Sequence, residues 1–554
     1  MKNKVFISIL TVIAVVGLAF VYYKQGMFET ETAEDAEYDV EESEALETNE
    51  GYGVSASHPL AVKTGMEVLE NGGNAADAAV AVSYALSVVE PYGSGIGGGG
   101  EMLILPADEE EPTAYEYREI APPSGAEPDT FAIPGFVKGM ETINDDLGSQ
   151  DMEELMQPAI DYAEDGFEAD KNLVSRLKKA SYRMVTDDLP AFFSNGEVIE
   201  PKEEVVQPEL AESLTAIQEE GSEAFYDGEL TEDILDYEDS LESDDLREYE
   251  MEVKEAAHGE VNGYDIYGAP PPLSGITFIQ SLKMAEDVID FDPSKEENKA
   301  EYIHLLGEIT KQTYEDRLTS IGDENFEDMD PMEELTTDAY VEDLVDSISK
   351  DSPSEGFEIN DSISDDEDYN NTTHFVIVDK DGTMVSTTNT LGNFFGSGNS
   401  VGGFFMNNNM ENYSESDDIT NSVEPGKTSR SFTSPSIVKN DDKTIGIGSP
   451  GGKRIPIIMA DVLFKYLIED EELEDAIEAD RVFVEDEKVL TEMDLDEDTK
   501  EKLESYGYEV YTNDTDAEFY GGIQALVVDE ESQSVYGGAD KRRDGTWQVK
   551  EMEK

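Results

Sequence analysis

The chain has 554 residues, 38% of them apolar, and sets 37 Lys and Arg against 130 Asp and Glu, a formal net charge of −93. That balance excludes nucleic acid as the default partner, because phosphate recognition needs basic patches, and the 26 Tyr, 22 Phe and many apolar runs exclude a chain disordered throughout. Without cysteine there are no disulfides, thiolate metal sites or Cys nucleophiles, and four histidines are a thin supply for a multi-histidine centre, so no metal or cofactor is expected.

The carboxylates are spread over every segment rather than held in one tail, which points to an acidic, solvated surface suited to saline surroundings, where salt screens self-repulsion. At the N-terminus, Lys2 and Lys4 precede an uncharged apolar run over 5–22, just long enough to span a bilayer. Residues 1–28 therefore read as an export signal, cleaved or kept as an anchor with the body outside. Residues 29–50 form a charged tether expected to be flexible, and the body begins near Gly51.

"SHPLAVKTGMEVLENGGNAADAAVAVSYALSVVEP" predicts two helices around a Gly-Gly turn, with Asn74 as N-cap and the second helix, over 75–89, apolar on nearly all sides and so buried. "YGSGIGGGGEMLILP" follows. Gly93, Gly95 and Gly98 fit a G-x-G-x-x-G pattern, but a dinucleotide fingerprint needs strand, loop, then helix, and here a helix precedes the loop and a strand follows it. These glycines allow close approach either of another backbone or of a substrate. The region 158–235 reads as mostly helical and acidic. After it, "AAHGEVNGYDIYGAPPPLSGITFIQSLKMAE" predicts a strand, a Pro-rich turn and a helix, and "ENKAEYIHLLGEITKQTYEDR" an amphipathic helix.

Residues 351–371 have almost no apolar periodicity and read as an exposed loop. "HFVIVDKDGTMVSTTNT" then predicts a hairpin about a D-K-D-G turn. Centring the turn on Lys380 and Asp381 sets Thr372 opposite Asn389 and beside Thr390. "KTIGIGSPGGKRIPIIMADVLFKYLI" predicts strand, glycine turn and helix, and "FYGGIQALVVDEESQSVYGGAD" a further hairpin. Two strand layers covered by helices is the economical architecture.

Threonine pairs on facing strands are ordinary ladder chemistry. The pair at Thr372 and Thr390 also fits a second reading. Cutting the bond between Asn371 and Thr372, at the end of an exposed loop, would leave Thr372 with a free α-amine that serves as base for its own hydroxyl. Backbone N–H groups of Gly451 and Gly452, at a turn before a helix, would suit an oxyanion hole for acyl transfer.

Over about 51–547 the chain resembles the γ-glutamyltranspeptidase family, and within it the branch that depolymerises or transfers poly-γ-glutamate. The stretches that carry the resemblance include "YREIAP", "APPPLSG", "TTHFVIVDKDGTMVSTTNTLGNFFG", "FFMNNNMENY", "GIGSPGGKRIP" and "GGADKRRDGTW". The resemblance implies an α+β fold, the αββα sandwich of N-terminal-nucleophile hydrolases, made as a self-cleaving precursor. Residues 51–371 would be its large subunit and 372–554 its small one, the two staying associated. It implies Thr372 as nucleophile, Thr390 as its supporting threonine, Gly451 and Gly452 as oxyanion donors, and Arg118 as the holder of the donor α-carboxylate. Arg430 and Arg543, in matched motifs, are expected with Arg454 and Arg542 along a groove for a polyanion.

Three departures from glutathione-cleaving members bear on the substrate. Gly392 stands where they carry Asn or Glu, Asn409 and Asn412 occupy their Gln and Asp positions, and of a Ser-Ser pair only Ser431 remains, followed by Phe432. Side chains that would pair with a free α-amine are thus missing. Inside a γ-glutamyl polymer that nitrogen is an uncharged amide, while every unit keeps an α-carboxylate. The expected activity is extracellular transfer from a γ-glutamyl polymer or peptide to water or an amine acceptor. Broad γ-glutamyltransferase or glutathione hydrolase activity is the alternative, and a non-catalytic acidic surface protein the more distant one.

Overall fold

The computed structural model describes residues 35–36, 38, 44–128, 130–350, 352–354, 370–414, 420–512 and 517–552. The expected export segment 1–28, much of the expected tether, and nearly all of the loop expected over 351–371 lie outside the described residues. Among the described residues no helix is long and apolar enough to cross a membrane.

Thirteen strands make two stacked sheets. They are β1 (Gly51–Ala56), β2 (Gly99–Leu105), β3 (Thr113–Tyr117), β4 (Glu252–Glu255), β5 (Ala257–Val261), β6 (Tyr264–Gly268), β7 (Asn370–Val378), β8 (Met384–Asn393), β9 (Ser436–Lys439), β10 (Lys443–Gly448), β11 (Gln524–Asp529), β12 (Ser534–Ala539) and β13 (Thr546–Glu551). The first sheet has the order β13-β1-β7-β8-β2-β3-β4 and the second β12-β11-β10-β9-β6-β5. Helices α1 (Pro59–Glu70), α2 (Ala75–Val89), α3 (Phe136–Leu147) and α4 (Met152–Asp165) cover the first, while α5 (Gly275–Val288), α6 (Lys299–Ser320) and α7 (Ile455–Leu463) cover the second.

The period of two along each strand divides the interior into three apolar layers. On β7, Phe375 and Ile377 join the helices over the first sheet, whereas Val376 and Val378 meet Ile437 and Leu526 of the second sheet in a middle layer. Val438, Ile445 and Ile447 pack outward with α5, α6 and α7. This is the expected αββα arrangement. Thr372 and His374 share the parity of Val376, so the nucleophile candidate faces the gap between the sheets at one end of the sandwich.

Asn74 caps α2 as expected, with Asp77 completing a capping box, and all fifteen residues of α2 are buried. Three expectations need correction. The 257–268 stretch, read as one strand, is the hairpin β5–β6, turned by Asn262 and Gly263 with φ of 48° and 77°. Helix α6 is buried on most of its faces rather than amphipathic. The end of the tether is docked: Leu46 N–H donates to Val535 O (2.9 Å) and Tyr38 packs 4.9 Å from the His58 ring, because an aromatic and a leucine in that acidic run find apolar surface to cover.

Candidate active site

The β7–β8 turn is one residue longer than expected. Gly382 takes φ 89°, its N–H donates to Asp379 O (3.1 Å), and the Asp379 carboxylate accepts the N–H groups of Asp381 (2.9 Å) and Thr383 (3.0 Å). The register moves by one, so Thr372 faces Thr390 directly, not Asn389. At the Asn371–Thr372 bond the register slips again, Asn371 pairing with Gly392. A ladder irregularity thus falls on the bond expected to break.

Thr372 is 7% exposed, and its Oγ1 has no hydrogen-bond partner among the described residues. A buried hydroxyl left so costs about 1–3 kcal/mol and marks a group held ready for another partner. The Thr390 hydroxyl accepts the Gly392 N–H at 2.9 Å. On the opposite face of β7, Thr373 Oγ1 lies 2.7 Å from Ser57 Oγ, which donates to Glu90 (2.8 Å), pinning the start of the strand to the region before α1 and after α2. His374 is wedged between the sheets, 2.8 Å from Thr388 Oγ1, and burial pulls its pKa down to about 3, so it is neutral.

The turn after β10 brings up Gly451 (φ 140°) and Gly452 (φ 57°), conformations that disfavour any residue with a Cβ. Gly452 lines the cleft beside Thr372, and Gly451 lies behind it with the Gly521 backbone 3.3 Å from where a Cβ would sit. Ser449 Oγ fastens this turn, donating to Pro450 O (2.8 Å) and accepting Gly522 N–H (3.1 Å).

Among the described residues thirteen line the cleft, with Arg118, Arg317 and Arg430 as their charged groups and no carboxylate among the thirteen. Arg118, at the end of β3, is 2% exposed and makes no side-chain hydrogen bond among the described residues. Its Nη1 stands 3.3 Å from the fully buried Glu119 carboxylate, whose pKa burial raises and Arg118 partly restores. Arg430 donates to Arg317 O (3.1 Å) and Leu318 O (3.0 Å). Asn409 accepts the Asn412 amide (2.8 Å), and Ser431 Oγ accepts from Thr433. Gly392 has φ 90°, a backbone conformation that disfavours a side chain, and a Cβ there would stand 2.1 Å from Asn408 Oδ1, which accepts the Asn393 N–H.

Thr372, Thr390, Gly452, Arg118, Asn409, Asn412, Arg430 and Ser431 are therefore brought together. Arg543 is not. It lies under Gly522, donates to Glu518 O (3.1 and 2.8 Å), and burial beside Arg176 lowers its pKa to about 9. Arg454 stacks on Phe519 at 4.0 Å and Arg542 pairs with Glu492 at 2.7 Å, so the expected arginine groove shrinks to Arg118 and Arg430. Arg317, which no motif singled out, replaces the missing members. Of the fingerprint glycines, Gly98 abuts the Thr390 carbonyl, a close backbone approach, while Gly95 faces the Leu391 side chain.

The Gamma-glutamyltranspeptidase family model matches residues 61–549. The chain belongs to the γ-glutamyltranspeptidase family. Among members of that family it is 44% identical over 497 residues to the capsule biosynthesis protein CapD proenzyme of Bacillus anthracis, covering 90% of each chain. It is 31% identical over 538 residues to the glutathione hydrolase proenzyme of Bacillus subtilis (strain 168), covering 89% of this chain and 90% of that one. A cephalosporin acylase from Bacillus halodurans shares the fold, with a TM-score of 0.81 at 22% identity over 94% of this chain and 100% of that one. The γ-glutamyltranspeptidase fold is that of N-terminal-nucleophile hydrolases made as proenzymes.

Proposed function

We propose that this chain is a zymogen that cuts itself between Asn371 and Thr372 and then, through Thr372, transfers γ-glutamyl groups from poly-γ-glutamate to water or an amine. In the first reaction Thr372 Oγ1 attacks the Asn371 carbonyl carbon. The C–N bond breaks as the ester forms, and water hydrolyses the ester to leave a carboxylate on Asn371 and a free amine on Thr372. That amine next takes the hydroxyl proton while Oγ1 attacks the γ-amide carbon of the donor. The N–H groups of Gly451 and Gly452 stabilise the oxyanion, the departing nitrogen takes up the proton, and water or an amine releases the γ-glutamyl ester. Arg118 and Ser431 hold the donor α-carboxylate, and Thr390 supports the nucleophile once the chain is cut.

The observation that carries this reading is a buried Thr372 hydroxyl, unpartnered among the described residues, in a cleft whose described lining holds three guanidinium groups, in a chain of net charge −93. Long-range repulsion would keep a polyanion away, and the cleft reverses the sign locally. Relatives named glutathione hydrolase favour a second reading. A glutathione donor carries a free α-ammonium, however, and the positions nearest Thr390 offer Gly392, Asn409 and Asn412, none of them anionic. Residues 1–28 would export the body and hold it at the outer face of the membrane, in salt that screens its surface.

The test compares poly-γ-glutamate with glutathione under the same conditions. Shortened polymer and slow glutathione turnover, both abolished in Thr372→Ala, are expected. Intact polymer beside rapid glutathione hydrolysis would transfer the conclusion to the second reading.

A further inference from the structure

Cutting the chain before Thr372 changes what holds that residue. Strand β7 begins at Asn370, so Thr372 lies inside the ladder of the intact chain and becomes the end of a strand in the cut one. The ladder is also irregular between Asn371 and Thr372. Chain ends fray unless they are tied down, yet a nucleophile must stay within about 0.5 Å of its productive place. Thr373, the next residue, is buried on the opposite face of the strand. Its hydroxyl lies 2.7 Å from Ser57 Oγ, and Ser57 gives its one proton to Glu90 Oε2 (2.8 Å), so Thr373 is the donor in that pair. Glu90 Oε1 accepts from Tyr92 (2.8 Å), whose ring carries the Arg176 guanidinium 4.2 Å from its centre. Both oxygens of Glu90 are engaged as acceptors, which fixes the direction of every hydroxyl in the row. Ser57 and Glu90 are buried as well, so bulk water does not compete for these bonds.

We propose that Glu90, acting through Ser57 and the Thr373 hydroxyl, is a positioning residue that clamps the newly made N-terminus and keeps Thr372 aimed into the cleft. This rests on the reading that the chain cuts itself before Thr372, and it adds what holds the product in place. Ser57 follows β1 and Glu90 ends α2, so both belong to the piece before the cut, while Thr373 belongs to the piece after it. The row of bonds therefore spans the two pieces and survives the loss of backbone continuity. It grips the residue beside the nucleophile without touching the reacting atoms.

A packing role and a clamp make opposite demands on position 373. Valine keeps the volume and branching of threonine without the hydroxyl, and serine keeps the hydroxyl without the methyl group. The readouts are the rate at which the fragment beginning at Thr372 appears, and kcat and KM for γ-glutamyl-p-nitroanilide after cutting. Thr373→Val leaves Ser57 Oγ buried without its donor, so it should cut about tenfold or more slowly than wild type. Once cut, it should lose about tenfold or more in kcat with KM held within about twofold. Thr373→Ser should keep most of both. Glu90→Gln should lower kcat to a like degree, and added to Thr373→Val it should cost less than about twofold further, because the two act through one row of bonds. Thr373→Val equal to wild type, Thr373→Ser worse than Thr373→Val, or additive losses in the double variant would overturn the clamp and leave self-cleavage standing. A wild-type chain that stays whole would overturn self-cleavage and the clamp together.

Discussion

Replacing Arg118 by Gln separates two consequences of one buried cation. The side chain is 2% exposed and its three guanidinium nitrogens make no hydrogen bond among the described residues, and its nearest described counter-charge is Glu119 at 3.3 Å, with the buried Glu101 carboxylate also acting on it. Removing one partner of a buried, hydrogen-bonded charge pair costs about 2–5 kcal/mol in binding. At 1.4 kcal/mol per tenfold, this is a fall of roughly 30- to 4,000-fold in kcat/KM for γ-glutamyl-p-nitroanilide. Stability falls as well, by about 3–5 kcal/mol, because Glu119 is left buried without its cation. The sign of the pH dependence follows from Glu119. Its folded pKa lies above the ordinary value through burial, so its contribution is most favourable when protonated and is lost as pH rises through that pKa. Without Arg118 the pKa climbs further, so the deficit of Arg118→Gln against wild type should be smaller at pH 5 than at pH 8. Adding Glu119→Gln should recover most of the stability and none of the donor affinity. Less than a threefold loss of kcat/KM in the double variant would refute the placing of Arg118 at the donor carboxylate.

Two further outcomes follow from the gap between the sheets. A Cβ on Gly448 would stand 2.3–2.6 Å from three atoms of the His374 ring, which is fully buried and cannot swing away, so Gly448→Ala should cost about 1–3 kcal/mol, read as a lower Tm, and should slow cleavage at Thr372, two residues along the same strand face. His374, with its pKa held near 3 by burial, should show no imidazole titration by NMR between pH 8 and 5. A shift in that interval would mean that water reaches the gap.

Much of the sandwich was legible because its strands obey a period of two and its best helix carries its own cap. Strands β10, β11 and β12 and helices α2, α5 and α7 fall where the apolar runs and glycine turns put them. The hairpin register was off by one because a D-K-D-G turn closes about either centre, and only the three hydrogen bonds to Asp379, two of them to its carboxylate, decide between them. Cleft membership was harder to read. Arg118 and Arg430 were findable in motifs, but Arg543 and Arg454 look the same in sequence and are spent on carbonyl and ring contacts that bring the glycine turns together. Arg317 has no local signal, since it depends on Phe432 lying across from it, more than a hundred residues away. The sole hint was Phe432 itself, an aromatic residue in a serine's place.

The bond between Asn371 and Thr372 is the point on which the rest depends, and mass spectrometry with N-terminal sequencing of the purified protein tests it most directly. A fragment beginning Thr-Thr-His-Phe, absent from Thr372→Ala, is the expected result. An uncut chain that still releases γ-glutamyl groups would contradict it.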